Sequence, residues 1–334
     1  MSSADPFLVV RDGDDAAPFA GCAVAIGNFD GVHRGHQAVI GAARAMAGRL
    51  RCPAIALTFE PHPRQVFAPH APLFRLSLPE AKLHLLRATG LGGALVVGFD
   101  RDFAANEAQT FVDEVLVARL GARAVAVGDN FHFGRARAGN PALLTQFGRE
   151  KGFEVEIVGP QGDDDTVFSS SAVRAHLAAG ELAAAAAILG YRWFFEAEVV
   201  HGEKRGRDLG YPTANMVLDP ACGLRQGVYA VRAVIDGETV GGVANFGTRP
   251  QFDDGAPLFE TFFFDVSRDL YGKTLAVTPL AFLRGEAKFD SVAALIAQMD
   301  ADAEAARGVI AALAASDPVA DFPMARALAR LRMA

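Results

Sequence analysis

Residues 22–40 read Cys22-Ala23-Val24-Ala25-Ile26-Gly27-Asn28-Phe29-Asp30-Gly31-Val32-His33-Arg34-Gly35-His36-Gln37-Ala38-Val39-Ile40. Five apolar residues in a row are the mark of a strand buried on both faces, as strands of a parallel sheet are. The polar, glycine-rich turn after them runs into helical spacing at Val39 and Ile40, so the stretch predicts a strand, a turn and a helix start. A helix N-terminus offers unpaired N–H groups and a partial positive charge, which favours an anion such as a triphosphate. Gly31 and Gly35 let backbone approach that anion closely. His33 and His36, three apart on the first turn, point to one side and can donate to phosphate oxygens whose charge grows as a leaving group departs. The plainer alternative is that the histidines cap the helix or line a polar loop. A zinc pair would call for a third ligand and an HExxH glutamate, which is absent.

Working outward, apolar runs at Cys22–Ile26, Ala54–Phe59, Leu95–Phe99, Ala124–Val127 and Val155–Val158 alternate with helical patterns such as Pro79–Thr89 and Thr110–Leu120. This predicts an α/β, Rossmann-like half with a parallel sheet, whose ligands gather at the carboxyl ends of the strands. After Tyr191 the texture changes. Alternating stretches at Val228–Ile235, Thr239–Asn245, Glu260–Phe264 and Thr274–Phe282, broken by Asp236-Gly237 and Tyr271-Gly272, predict an antiparallel sheet or small barrel. One amphipathic helix closes the region, with Val292, Leu295, Ile296 and Met299 expected to pack on the barrel. The boundary is expected near Leu189 to Arg192, giving domains 1–189 and 190–334. The tail from Ala315 has no assigned role.

A chain of 334 residues is expected to form two domains. Hydrophobic residues at 51% and charged residues at 21% match a soluble enzyme. A net charge of −7 argues against a nucleic-acid backbone as partner. Cys22, Cys52 and Cys222 lack CxxC spacing and indicate neither a disulfide framework nor zinc, so a reducing cytoplasm is expected. The acidic start has no signal-peptide pattern, and the alanine-rich run Leu182–Gly190 is too short to cross a bilayer. No membrane partner is expected. Oligomeric state, including a homo-oligomer, stays open.

A second set of chemical residues opens the other half: Gly202-Glu203-Lys204-Arg205-Gly206-Arg207-Asp208-Leu209-Gly210-Tyr211-Pro212-Thr213-Ala214-Asn215. Glycines and cations suit a phosphate-cradling loop. It is not a Walker A loop, since before Gly272-Lys273-Thr274 the first required glycine is replaced by Ser267. Glu260, seen alone, reads as an ordinary partner for a basic residue. Ser169, Ser170 and Ser171 read alone as a turn and helix cap.

The string from Gly27 to Gln37 resembles the HxGH nucleotidyltransferase superfamily, and in particular its FAD synthetase branch. Three further segments carry the same resemblance: Thr58-Phe59-Glu60-Pro61-His62-Pro63, Gly128-Asp129-Asn130-Phe131-His132-Phe133-Gly134, and Phe168-Ser169-Ser170-Ser171-Ala172-Val173-Arg174. The second half resembles riboflavin kinase through Gly206–Asn215, Gly227–Tyr229, Asn245–Pro250, Phe259–Thr261, Leu270–Gly272 and Arg284–Phe289. The resemblance implies that riboflavin is phosphorylated to FMN in the second domain and FMN adenylylated to FAD in the first, with ADP and pyrophosphate as the other products. It implies Mg2+ with ATP and no tightly bound organic cofactor.

By the same resemblance, His33 and His36 hold the ATP phosphates and Asn130 lies near the reacting groups. Gly27, Asn28, Phe29, Asp30, Gly31 and Gly35 shape the ATP site, and Ser169, Ser170, Ser171 and Arg174 close over the triphosphate. Pro61, His62 and Pro63 lie near the flavin. In the second domain, a six-stranded antiparallel Greek-key-like barrel with a closing helix, Gly202, Arg205, Gly206, Arg207 and Gly210 cradle phosphate. Thr213 and Asn215 hold the magnesium, and Glu260 takes the proton of the riboflavin hydroxyl. Arg284 meets the flavin, with a salt bridge to Glu286 or Asp290 as the alternative. The chain departs from the pattern at His132 (Arg is usual), Ser171 (Thr), Tyr211 (Phe) and Ala197 (Gly, before the first barrel strand). Alternatives left open are a chain with one active half, a flavin-binding module without turnover, and a nucleotidyltransferase acting on another substrate.

Overall fold

The computed structural model describes residues 7–163, 166–202, 211–248 and 257–331. The chain divides into two compact units: Met1–Leu73 with Pro79–Ser169, and Phe74–Leu78 with Ser170–Ala334.

The first unit is built on six parallel strands: β1 (Leu8–Arg11), β2 (Ala23–Ile26), β3 (Ala54–Glu60), β4 (Gly93–Gly98), β5 (Ala124–Gly128) and β6 (Glu154–Val158). Their order across the sheet is β1-β4-β3-β2-β5-β6. Five of them lie where the apolar runs predict. The sixth, β1, was not foreseen, because it is a four-residue edge strand set among acidic residues and buries only Val10. Val24, Ile26, Ile55, Leu57, Leu95, Val97, Val125 and Val127 form the centre of the core.

Helix α1 (Arg34–Leu50) follows β2, α2 (Pro63–Phe67) follows β3, and α3 (Pro79–Ala88) precedes β4. Helices α4 (Arg101–Ala104) and α5 (Ala108–Thr110) follow β4. The helix read over Thr110–Leu120 is present, but Phe111–Arg119 is wound as a π-helix. Helix α6 (Pro141–Lys151) leads to β6.

The strand order reverses between β2 and β5, since β2 is followed by β3 on one side and β5 by β6 on the other. In an open parallel sheet this is the switch point, where diverging loops leave a crevice beyond the carboxyl ends. The segment Gly27–His33 leaves β2 there, and Asp129–Phe133 leaves β5.

The second unit begins with α7 (Ser170–Ala179) and α8 (Leu182–Leu189), so the alanine-rich run is a short helix ended by Gly190 in the left-handed region. Six antiparallel strands then close a barrel: β9 (Phe195–Val200), β10 (Ala214–Val217), β11 (Gly227–Ile235), β12 (Glu238–Thr248), β13 (Pro257–Phe263) and β14 (Thr274–Arg284). Strands β7 (Gly162–Asp163) and β8 (Thr166–Val167) form a separate two-stranded ribbon. The closed order β10-β13-β12-β11-β14-β9 sets β14 beside the β11–β12–β13 meander, which is a Greek key. Ala197 lies inside β9, opposite Leu275, and not before the first barrel strand.

Helix α9 (Val292–Ala315) closes the barrel with the expected apolar stripe, but on its later turns. Val292 is exposed, while Ala303, Ala306, Val309, Ile310 and Leu313 pack on Ala230, Phe264 and Leu280. The alanines let the helix approach closely: at Gly241 on β12 a side-chain carbon would lie 2.7 Å from Ile310. The tail acquires a structural role. Asp317 takes two hydrogen bonds from buried Arg192, at 2.8 and 2.9 Å, and α10 (Pro323–Leu331) buries Met324 and Leu328.

Candidate active sites

The β2–α1 turn is held by backbone choices that the sequence permits at few places. Phe29, Gly31 and Val32 all adopt positive φ, at 51°, 77° and 37°. His33 is the N-cap of α1 and its Nδ1 accepts from the His36 N–H at 3.3 Å, so one histidine does cap the helix. The two rings stack with centroids 3.7 Å apart and planes 25° apart, and Phe29 meets His36 edge-on at 5.3 Å. Gly35 is required by this stack, because a β-carbon there would lie 3.0 Å from the His33 ring and 3.2 Å from the Phe168 carbonyl oxygen. The same close approach brings the start of the serine segment to the histidines. Arg34 caps it with its guanidinium 4.2 Å from the Phe168 ring centre.

Burial, then His33, then Lys82 hold the His36 imidazole well below its ordinary pKa, and its Nδ1 is buried with no partner among the described residues. The ring is therefore neutral at physiological pH and has one N–H to donate. Asp30 is buried in the turn. The Asn28 carbonyl accepts from the Thr58 hydroxyl on β3 at 3.2 Å.

Asn130, exposed just beyond β5, is on the other side of the switch point. His132 Nδ1 lies 2.9 Å from the Asn130 carbonyl oxygen and 3.1 Å from Nη2 of Arg137. One ring nitrogen serves one of these at a time: protonated, Nδ1 donates to the Asn130 carbonyl, and with the proton on Nε2 it accepts from the guanidinium. A permanent charge thus stands beside the position where the pattern's arginine is missing. Sequence reasoning passed over Arg137, although it follows the motif by three residues.

After β3, His62 caps α2 and its Nδ1 accepts from the Arg64 N–H at 3.1 Å. Phe67, at the end of the same helix, is 66% exposed with its ring edge-on to Phe99 at 5.7 Å. An exposed aromatic beside a Pro-His-Pro corner is a ready platform for a flat ring, and its place four residues after Pro63 was the overlooked signal. Ser169 ends the first unit, whereas Ser170, Ser171 and Arg174 belong to the second. There Arg174 Nε donates to the Phe74 carbonyl oxygen at 2.6 Å.

In the barrel the decisive feature is register. Glu260 on β13 is directly opposite Asn215 on β10 and Asn245 on β12. Directly opposed residues of antiparallel strands share a face. A carboxylate is therefore flanked by two amides, and Asn245 is a site candidate that motif reading had quoted without a role. Asn215 is 5% exposed and its Nδ2 donates to the Thr213 carbonyl oxygen at 3.3 Å. Gly202 lies against it so closely that a β-carbon would fall 2.4 Å from Nδ2. Arg205, Gly206, Arg207 and Gly210 lie outside the described residues.

Helix α9 holds two residues of the barrel unit, Tyr211 and Arg284. The Tyr211 hydroxyl bonds Asp300, which with burial raises the phenol pKa to about 12. Arg284 grips Asp302 with three contacts of 2.6–3.1 Å, and Gln298 donates to the same carboxylate. Its partner is thus neither Glu286 nor Asp290. Among the described residues no group of three or more His, Cys, Asp or Glu side chains could hold a metal ion. The neutral oxygens of Thr213 and Asn215 fit a hard cation shared with phosphates, which takes few protein ligands.

Known proteins match both units. A family model described as FAD synthetase matches residues 16–172, and one described as riboflavin kinase matches residues 189–310. The bifunctional riboflavin kinase/FMN adenylyltransferase of Escherichia coli K12 is 39% identical over 87% of this chain and 93% of its own length. That of Listeria monocytogenes is 36% identical over 87% and 93%. A crystal structure from Streptococcus pneumoniae, described as a macrolide-efflux protein, superimposes with a TM-score of 0.79 at 30% identity over 90% of this chain and 98% of the other. No helix among the described residues here is long and apolar enough to cross a membrane. With identity of this level across nearly the full length of its relatives and both units matched in order, the chain belongs to the bifunctional riboflavin kinase/FMN adenylyltransferase family, phosphorylating riboflavin to FMN and adenylylating FMN to FAD.

Proposed function

We propose that residues 1–189 carry adenylylation, centred on His33 and His36, and that residues 190–334 carry phosphorylation, centred on Glu260. The observation that supports this most is the stacked histidine pair at the N-terminus of α1, at the switch point of the sheet. In the first reaction an FMN phosphate oxygen attacks the α-phosphorus of ATP, a P–O bond forms, and the bond to the β-phosphate breaks to release pyrophosphate. The nucleophile is already ionised, so no strong base is needed. Helix amides and the histidines donate to oxygens that gain charge. A neutral His36 serves as a hydrogen-bond donor that does not lose its proton. Gly27 to Gly35 and Asn130 frame the phosphates, and Pro61, His62, Pro63 and Phe67 form the flavin side. The serine segment and Arg174 remain assigned to the triphosphate.

In the second reaction the riboflavin 5′-hydroxyl attacks the γ-phosphorus, and Glu260 accepts the hydroxyl proton as the P–O bond to ADP breaks. Asn245 and Asn215 orient that carboxylate. Thr213 and Asn215 would hold Mg2+, which when bound neutralises charge on the ATP phosphates. Gly202, Arg205, Gly206, Arg207 and Gly210 serve the phosphates, and Arg284 orders the flavin edge through its tie to α9. The three cysteines are free thiols, which fits a reducing cytoplasm. The test incubates the purified protein with ATP, Mg2+ and riboflavin, and separately with FMN, and resolves the flavins by chromatography. Absence of FAD from FMN would remove the first assignment.

A further inference from the structure

Lys82 is a buried cation to which neither proposed site assigns a role. It lies on α3 between Ala81 and Leu83, and its side chain is 1% exposed. Lysine is almost never so buried unless paired. Its three ammonium protons meet Glu60 Oε1 at 2.6 Å, Thr58 Oγ1 at 3.0 Å and the Phe59 carbonyl oxygen at 3.1 Å. Glu60 matches the charge. Thr58 carries the interaction further, because its hydroxyl accepts from Lys82 and has one proton left, which goes to the Asn28 carbonyl oxygen. A directional relay thus runs from α3 through β3 to the turn after β2. It ends one residue before Phe29, a non-glycine held at φ 51° whose ring packs on His36. Such a backbone state persists where its surroundings enforce it.

We propose that Lys82 is a positioning residue for adenylyl transfer, fixing the Asn28–Phe29 turn through the Thr58 hydroxyl so that His36 keeps its place. The proposal rests on the assignment of that turn to adenylylation. The Lys82 charge also disfavours protonation of His36, after burial and His33, so geometry and electrostatics act in the same sense. A merely structural lysine would join α3 to β3 through Glu60 and Phe59, and the Thr58 branch would be idle.

The test uses the full chain, whose riboflavin phosphorylation is the internal control. Thr58→Val cuts the relay and leaves the Lys82–Glu60 pair. It should lower kcat for FAD formation about tenfold, as loss of close positioning does, with KM for FMN and ATP and the rate of FMN formation unchanged. Thr58→Ser should restore kcat. The double variant Glu60→Gln with Lys82→Met removes both charges together, and it should match Thr58→Val in kcat. Wild-type kcat in either Thr58→Val or the double variant overturns the proposal. So does a first unit that fails to fold in both, or a thermal destabilisation that accounts for the lost rate. His36→Ala is assayed alongside. If it forms FAD normally, the turn itself is misassigned; if it is inactive while Thr58→Val is normal, only the relay fails.

Discussion

The β2–α1 turn and the β10–β13 face, the two ATP sites proposed above, are built from opposite materials. The turn presents a helix N-terminus, two stacked imidazoles and a buried ammonium nearby. The barrel face presents a carboxylate between two amides. The nucleophiles explain the contrast. A flavin phosphate reaches its site as an anion and needs only positive, pre-oriented surroundings. An alcohol must shed a proton during attack, so its site needs an acceptor. A bare helix terminus in the second site would leave the alcohol proton with nowhere to go.

The largest effect should come from removing the acceptor. Glu260→Ala should lower FMN formation from riboflavin about a thousandfold, within the range for general acid–base groups, while supplied FMN is still adenylylated at the wild-type rate. Next, His36→Ala should lower FAD formation from FMN about a hundredfold, as loss of one charge-stabilising donor does, with riboflavin phosphorylation intact. Chromatography of flavin products reads both. If either variant, folded, lost both activities, the two regions would not be separate sites and the comparison would collapse.

A smaller effect separates support from chemistry within the barrel. Asp302→Ala leaves the Arg284 guanidinium without its carboxylate in a partly buried position. Stability of the second unit should drop by about 2 kcal/mol, below the cost of breaking a fully buried pair, and KM for riboflavin should rise. Adenylylation of FMN should be untouched. Denaturant titration followed by each activity measures this, and an unchanged KM would make Arg284 a helix tie with no bearing on the flavin.

Legibility from sequence differed between the regions for physical reasons. In the first unit the determinants are local: Gly27 to His36 are contiguous, so one strand, turn and helix start disclose the site. In the barrel they are distant in sequence. That Asn215, Glu260 and Asn245 stand side by side depends on register, which no local pattern encodes, and resemblance alone had selected two of them. On alanine-rich α9 the stripe is legible at Val292 to Met299, yet its buried contacts fall on later turns, at Ala303, Ala306 and Ile310, where alanine carries little apolar signal. Arg284 was paired with sequence neighbours, but its partner lies 18 residues on, across the helix. Lys82 could have been found, since it is spaced three and four residues before Leu85 and Leu86 on the buried side of α3.

The smallest expected effect uses pH to tell the two regions apart. His36 has an ordinary value of 6.5 and a much lower one when folded, chiefly through burial. Below pH 6.5 the unfolded chain therefore binds a proton that the folded chain does not, and stability falls as pH falls, by at most about 1.4 kcal/mol per pH unit. In the barrel unit, burial works against ionisation of Asp317, but the Arg192 bonds prevail and hold its carboxyl below 3.8. That contribution is present above 3.8 and is lost only as pH falls below it. Between about pH 6.5 and 5, heat inactivation of FAD formation should move to lower temperature, and inactivation of FMN formation should move less. His36→Gln should abolish the difference in stability, read for the first unit by thermal unfolding because that variant is expected to be impaired in adenylylation. If the wild-type first unit keeps its unfolding temperature across this window, His36 is not held neutral, and the view of the turn as a site of neutral donors gives way to one with a charged imidazolium at its centre.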